Sequence, residues 1–199
     1  MTTFDFAAGH QPLTPPDPDL DRRRARLQAL GLGDERPIAD LDHLARNLAR
    51  TAANLIGIAN APFAMVNVIT GHQFFAGLYE PAPTTTGIGP QTARPASIVG
   101  RIMSRDHGYC PHVINRRTAL VLDDVCAFAR FKSNPVADEL GIRTYLGAPL
   151  IDEQSGTVLG TVCVVDTQPR PWGRPGLALI KDFRDQAMAR IRQADHHTW

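Results

Sequence analysis

Between Ile38 and Ile58 the apolar side chains Leu41, Leu44, Leu48, Ala52 and Leu55 recur at spacings of three and four. That is the stripe of an amphipathic helix. The run beginning at Gly176 repeats it with Leu177, Ile180, Phe183, Ala187, Met188 and Ile191, so a second long helix is expected near the other end. Ahead of both, "DPDLDRRRARLQALGLG" reads as a short helix. Asp17 can cap it, Pro18 suits a first turn, Leu20, Leu27 and Leu30 share a face, and Gly31 can close it. The arginines 22, 23, 24 and 26 are expected on its solvated side.

The middle of the chain has the pattern of strands. "FAMVNVI" from Phe63 and "QFFAGLY" from Gln73 are separated by "TGH", a hairpin-length connection in which Gly71 is able to take a positive φ. "ALVLDDV" from Ala119 is a third strand, and "TYLGAPLID" and "TVLGTVCVVD" form a second hairpin across "EQSG". The stretch "PAPTTTGIGPQTARPAS" reads as an irregular loop, and residues 1–16, ending in a proline pair, as an unpacked arm. The expected organisation is an arm over 1–16, a helix and linker over 17–36, and one folded domain over 37–195.

Composition narrows the function classes. Of 199 residues, 43% are hydrophobic, enough for a sizeable core. Twenty-one basic and twenty acidic side chains nearly cancel, so no field of one sign points to nucleic acid or an anionic membrane. No run approaches the roughly 20 apolar residues of a membrane span, and "MTTFDFAAGH" lacks the basic and apolar segments of a signal peptide. Three cysteines, Cys110, Cys126 and Cys163, argue against a disulfide framework. A cytoplasmic protein with free thiols is expected.

The chemistry concentrates in "DHGYCPHV", residues 106–113. Cys110 with His107 and His112 suits zinc by ligand type, but no second cysteine or histidine pair has the spacing of a metal site, and none is assigned. A nucleophilic thiol would need an adjacent base. If the segment is extended, Cys110 and His112 share a face, although Pro111 can break that register. A third reading makes the cysteine part of a folded wall. Asp123 and Asp124 point to opposite faces and form no dyad, one of them being suited to cap the next turn. Cys163, among valines and facing the same way as Thr161 and Val165, reads as a packing residue, whereas Cys126 reads as accessible. "GIGPQT" lacks the spacing of a phosphate loop.

Five phrases then occur in order: "GYCPHVI" (108–114), "LVLDDV" (120–125), "FARFKSNPVA" (128–137), "IRTYLGAPL" (142–150) and "VLGTVCVVD" (158–166). From about Asp40 to Gln193 the chain resembles the GAF domain family, in particular the subgroup of bacterial sensor kinases and cyclic-nucleotide signalling enzymes. The resemblance implies an α+β sandwich: a GAF/PAS-like six-stranded antiparallel sheet with N- and C-terminal helices on one face and loops over a ligand cavity on the other. Carried over by position, the cavity wall comprises Cys110, His112, Asp124, Arg130, Phe131, Asn134, Tyr145 and Cys163. Phe128 replaces a frequent acid and Thr144 a usual aromatic residue, so relatives do not fix the ligand.

Within the family, bilin-binding photoreceptors place a cysteine in the segment that here reads "RFKSNPVADEL", which has none. Thioether attachment there is excluded. Free methionine sulfoxide reductases are stand-alone enzymes with three cysteines, and they remain an enzymatic alternative, although their acid-bearing phrase before "P-L" is missing. A haem-binding sensor is a further alternative, with His112, His107 and His72 as ligands of equal standing. The leading expectation is a stand-alone sensory module that binds a small molecule reversibly, signals through an output protein and forms a homodimer through its terminal helices. No cofactor is identified, and no residue is assigned a catalytic role.

Overall fold

The computed structural model describes residues 4–5, 11–12, 15–81 and 100–195. The expected irregular loop after Tyr79 falls almost wholly outside the described residues. So does most of the expected arm, within which Phe4–Asp5 pairs with Gln11–Pro12. Six strands make the main sheet: β1 (Phe63–Ile69), β2 (His72–Tyr79), β3 (Ile102–Ser104), β4 (Leu120–Leu122), β5 (Thr144–Ile151) and β6 (Val158–Asp166). Their spatial order is β3-β2-β1-β6-β5-β4, and every pairing is antiparallel. The sheet closes the six-stranded arrangement that the family resemblance implies. Five strands follow from pattern alone, but β3 has three residues, too few for a periodic signal.

The helices divide between the two faces. On one face lie α1 (Leu20–Ala29), α2 (Ala39–Ile56) and α6 (Gly173–Asp195). Leu41, Leu44 and Leu48 of α2 and Ile180, Phe183 and Ile191 of α6 are buried against Val66, Ala148 and Val162 of the sheet. The period-two alternation sends the other side chains of these strands to the opposite face. There Met65, Phe75, Tyr145 and Cys163 meet three short helices, α3 (Cys110–Arg116), α4 (Ala129–Lys132) and α5 (Pro135–Glu139).

The β1–β2 register shifts between Val66, opposite Gly77, and Asn67, opposite Phe75. Ala76 is the extra residue, and its carbonyl accepts from the N–H of Ile38, just before α2. The bulge therefore docks α2. Gly77 must be glycine for this approach, since a Cβ there would collide with the carbonyl of Leu41. In the preceding turn Thr70 N–H donates to His72 O, and Gly71 does not take up the positive φ open to it.

Arg22 and Arg24 are exposed as expected, but Arg23 and Arg26 depart from the sequence expectation. Arg23 is only 1% exposed: it donates to Val158 O and forms an ion pair with Asp17. Arg26 pairs with Asp152, and Arg22 donates to Ser155 O. The helix is thus pinned to the β5–β6 hairpin by charge. Helical periodicity shows only that these arginines share a region of α1, whereas the hairpin that covers them is about 130 residues away in sequence.

Trp172, fully buried at the start of α6, donates its indole N–H to Thr144 Oγ1 at 2.8 Å, and Thr144 in turn donates to Leu122 O. An aromatic residue at 144 would occupy the helix face where Trp172 packs. The departure of Thr144 from the family phrase therefore has a local structural reason.

Candidate ligand pocket

Between the sheet and α3–α5 lies a pocket of about 40 Å³, open on one side. Its walls are Met65, Phe75, Met103, Tyr109, Val136, Leu140, Ile142 and Val165, with Gln73, Gly108, Cys110, Tyr145 and Cys163 completing the lining. The surface is almost entirely apolar. Such a wall binds by shape and burial, and the few polar groups set orientation.

Cys110 reaches the pocket because "YCPHVI" is helical, not extended. Pro111 fits a first helical turn, where its missing N–H costs nothing. In a helix, residues two apart point to nearly opposite sides, so Cys110 and His112 do not share the face an extended segment would give them. His112 is buried, its ring edge-on to Phe131 with centroids 5.1 Å apart, and it does not line the pocket.

At the pocket floor Cys110 Sγ lies 3.8 Å from Cys163 Sγ and accepts a hydrogen bond from the Tyr145 hydroxyl at 3.4 Å. The Tyr145 ring fits there because residue 147, beside it, is glycine. The hydrogen bond between the two thiols lowers the pKa of Cys110 below the ordinary thiol value, against the opposing effect of burial. The same hydrogen bond raises Cys163, as does burial. Of the two, Cys110 is the first to ionise. Burial, followed by the charge of Cys110, holds the Tyr145 phenol protonated far above its usual range.

The rim is held by side-chain amides. Gln73 Nε2 donates to Ser104 O at 2.9 Å and to His107 O at 2.6 Å, while its Oε1 accepts from Asn67 Nδ2. Asn134 caps α5 and bonds both backbone groups of Gly108, whose φ of +78° favours glycine. His107, one residue away, contacts the carboxylates of Asp106 and Glu139.

Of the eight positions carried over from the family phrases, Cys110, Tyr145 and Cys163 line the pocket. Asn134 and Phe131 lie just behind its lining: Asn134 holds Gly108, and Phe131 packs edge-on against Tyr109. Asp124 sits at the surface end of β4, accepting from the Cys126 N–H and paired with Arg143, whose hydrogen bond lowers its pKa. Arg130 is exposed on α4. Cys126 is also exposed and does not line the pocket. None of the described pocket residues is a histidine, so the lining does not fit the imidazole ligation that a haem-binding sensor would require. Among the described residues no group of three or more histidine, cysteine, aspartate or glutamate side chains could hold a metal.

Gln73, Asn67 and the methionines were not among the sequence candidates. A signal for two of them existed: Asn67 and Gln73 are polar positions inside otherwise apolar strands, and both are buried. Met65 and Met103 carry no such mark, because methionine is an ordinary core residue.

The GAF domain family model matches residues 40–191. Among solved structures the fold is similar to residues 122 to 287 of a methyl-accepting chemotaxis protein, at 19% identity and a TM-score of 0.53, covering 88% of this chain and 98% of that one. It is also similar to the GAF domain of an Acinetobacter phosphoenolpyruvate-protein phosphotransferase, at 14% identity and 0.51, covering 90% and 96%. The type II free methionine-R-sulfoxide reductase of Thermoplasma acidophilum is similar at 11% identity and 0.50, covering 77% and 95%. Identities this low establish the shared fold alone. No curated protein matches the chain. With the six-stranded antiparallel sheet, the helices on its two faces and a family match over most of its length, the chain belongs to the GAF domain family.

Proposed function

We propose that this chain is a sensory domain that binds a small, mostly apolar molecule reversibly between the sheet and α3–α5, and passes the change to an output protein. The observation that carries this reading is the pocket itself: an apolar-walled opening with the sulfurs of Cys110 and Cys163 in its lining. Its volume of about 40 Å³ is well below the roughly 300–1,000 Å³ of sites for drug-sized molecules, so the ligand is very small or the walls part to admit it. In this reading Cys110, Tyr145 and Cys163 touch the ligand, Asn134 and Phe131 shape its wall, and His112, Asp124 and Arg130 act from behind or beside it. No helix of the described residues is long and apolar enough to cross a membrane. The three free thiols favour the reducing cytoplasm.

Native mass spectrometry of the protein purified from its own cells tests this reading. A retained small molecule is expected, lost in Leu140→Trp, which fills the pocket from its mouth. Protein without adduct in both forms counts against the proposal.

The homodimer is a further part of the proposal. The apolar stripes of α2 and α6 are packed on their own sheet, so pairing would use their polar outer faces. Light scattering that reports a monomer at every concentration removes it.

A second reading, thiol-dependent reduction of free methionine sulfoxide, is supported by the Cys110 sulfur inside the pocket. It predicts turnover with a dithiol that Cys110→Ser or Cys126→Ser abolishes. No turnover with intact thiols rejects it.

A further inference from the structure

Reversible binding by an apolar pocket does not require two sulfurs at its floor. Cys110 opens α3 and Cys163 lies within β6, 53 positions later, yet their Sγ atoms are 3.8 Å apart. Both residues line the pocket, which gives a small solute a route to otherwise buried thiols. The surroundings are also unusual for structural cysteines. The Tyr145 hydroxyl donates to Cys110, and Thr161 and Asn67 are turned toward the same sulfur. Thr161 Oγ1 and Asn67 Oδ1 are fully buried and find no nitrogen or oxygen partner. Buried polar atoms normally find partners. Here they stand beside a sulfur that would gain a polar S–OH group on oxidation.

We propose that Cys110 and Cys163 form a peroxide-reactive dithiol site on the pocket floor, with Cys110 the sulfur attacked first and Cys163 the resolving thiol. The inference goes beyond ligand binding and does not depend on it. In the first step the Cys110 thiolate attacks one oxygen of hydrogen peroxide. An S–O bond forms, the O–O bond breaks, and the departing hydroxide takes up the proton that Cys110 released, leaving as water. Cys110 is oxidised by two electrons to a sulfenic acid, and the peroxide is reduced. In the second step the Cys163 sulfur attacks the Cys110 sulfur. The S–S bond forms, the S–O bond breaks, and the hydroxyl leaves as a second water with the Cys163 proton. Two thiols and one peroxide give one disulfide and two waters.

The order of events follows from the hydrogen bonds. The Tyr145 hydroxyl donates to Cys110, which favours negative charge on that sulfur, while the Cys110 sulfur beside it and burial keep Cys163 protonated until it is needed. Forming the bond requires the sulfurs to close from 3.8 Å to about 2.05 Å. That movement reshapes the pocket floor.

The test uses the full chain carrying Cys126→Ser, which removes the exposed thiol. Folded protein is treated with equimolar hydrogen peroxide, unfolded, alkylated and mapped by mass spectrometry. The expected product has lost two hydrogens, yields a peptide pair linked through Cys110 and Cys163, and is restored by dithiothreitol. With Cys163→Ser added, a dimedone-type probe should label Cys110. With Cys110→Ser instead, Cys163 should stay unlabelled. Full alkylation of both cysteines after peroxide overturns the proposal, as does a disulfide that forms only in urea-unfolded protein. Mapping of the parent protein decides the matter even if the serine variants fail to fold.

Discussion

Asn134 closes both backbone groups of Gly108: its Oδ1 accepts from the glycine N–H at 2.8 Å, and its Nδ2 donates to the glycine carbonyl at 2.9 Å. The same Oδ1 caps α5 through Val136 N–H. One side chain therefore ties the rim before α3 to the helix that forms the opposite wall. Asn134→Ala leaves the partly buried backbone groups of Gly108 and the buried N–H of Val136 without their side-chain partner and is expected to cost about 1–3 kcal/mol. Urea denaturation checks the loss. Faster hydrogen exchange confined to the segment around Gly108 checks that the rim loosens.

Gly147→Ala tests the floor. An added Cβ would stand 2.6 Å from Tyr145 Cζ and 2.7 Å from Cε1, closer than carbon atoms approach. The ring must move off Cys110. Overpacking of this kind costs about 1–3 kcal/mol. Thermal unfolding should report the loss, and the Cys110 thiol should alkylate faster in the folded variant than in the parent protein.

The buried arginine Arg23 makes a stronger prediction. Removing one partner of a buried ion pair costs about 3–5 kcal/mol because the other charge is left in a poor solvent. Asp17 also pairs with Arg105 at 2.6 Å, so Arg23→Met should fall at the lower end of that range. A double variant with Asp17→Ala should be less destabilised than the sum of the two single changes, as urea midpoints would show.

The same region carries a pH dependence. Burial pushes the Asp17 carboxyl up, but the hydrogen bond and charge of Arg23, with the charge of Arg105, outweigh it and bring the pKa below its ordinary 3.8. Asp152 is lowered in the same way, burial being outweighed by Arg26 and Ser155. A carboxyl that ionises more readily in the folded state stabilises it above the unfolded pKa, and the contribution is lost as pH falls through the folded value. The attachment of α1 to the β5–β6 hairpin should therefore hold at neutral pH and weaken only below pH 3.8. Asp152→Asn should flatten the acid limb of a stability–pH curve.

Much of the fold was legible in the sequence because its long elements carry strong periods. α2 spans Ala39–Ile56 where the apolar stripe predicted a helix, and the five longer strand-like runs contain all the main-sheet strands except β3. The short helices were not legible. α3, α4 and α5 have seven, four and five residues, too few for a 3.6-residue period to show, and "GYCPHVI" is read equally well as extended until Pro111 is seen in a first turn. The site followed the same division. Cys163 and Tyr145 sit on strands whose alternation is readable, whereas the direction of Cys110 depends on α3 being a helix.

By itself the sequence determined the order and type of the long elements, the sides of the strands and, through five ordered phrases, the family. "DHGYCPHV" alone favoured a folded wall over a metal site or a nucleophile, without showing which way Cys110 and His112 face. Only the tertiary structure decided which side chains meet: it brought Cys163 to Cys110, turned His112 away, buried Arg23 beneath a distant hairpin and placed Thr144 under Trp172. The reason is physical. Local periodicity fixes where a side chain points relative to its own element, but contacts between residues far apart in sequence arise only when elements pack, and pocket chemistry is made of such contacts.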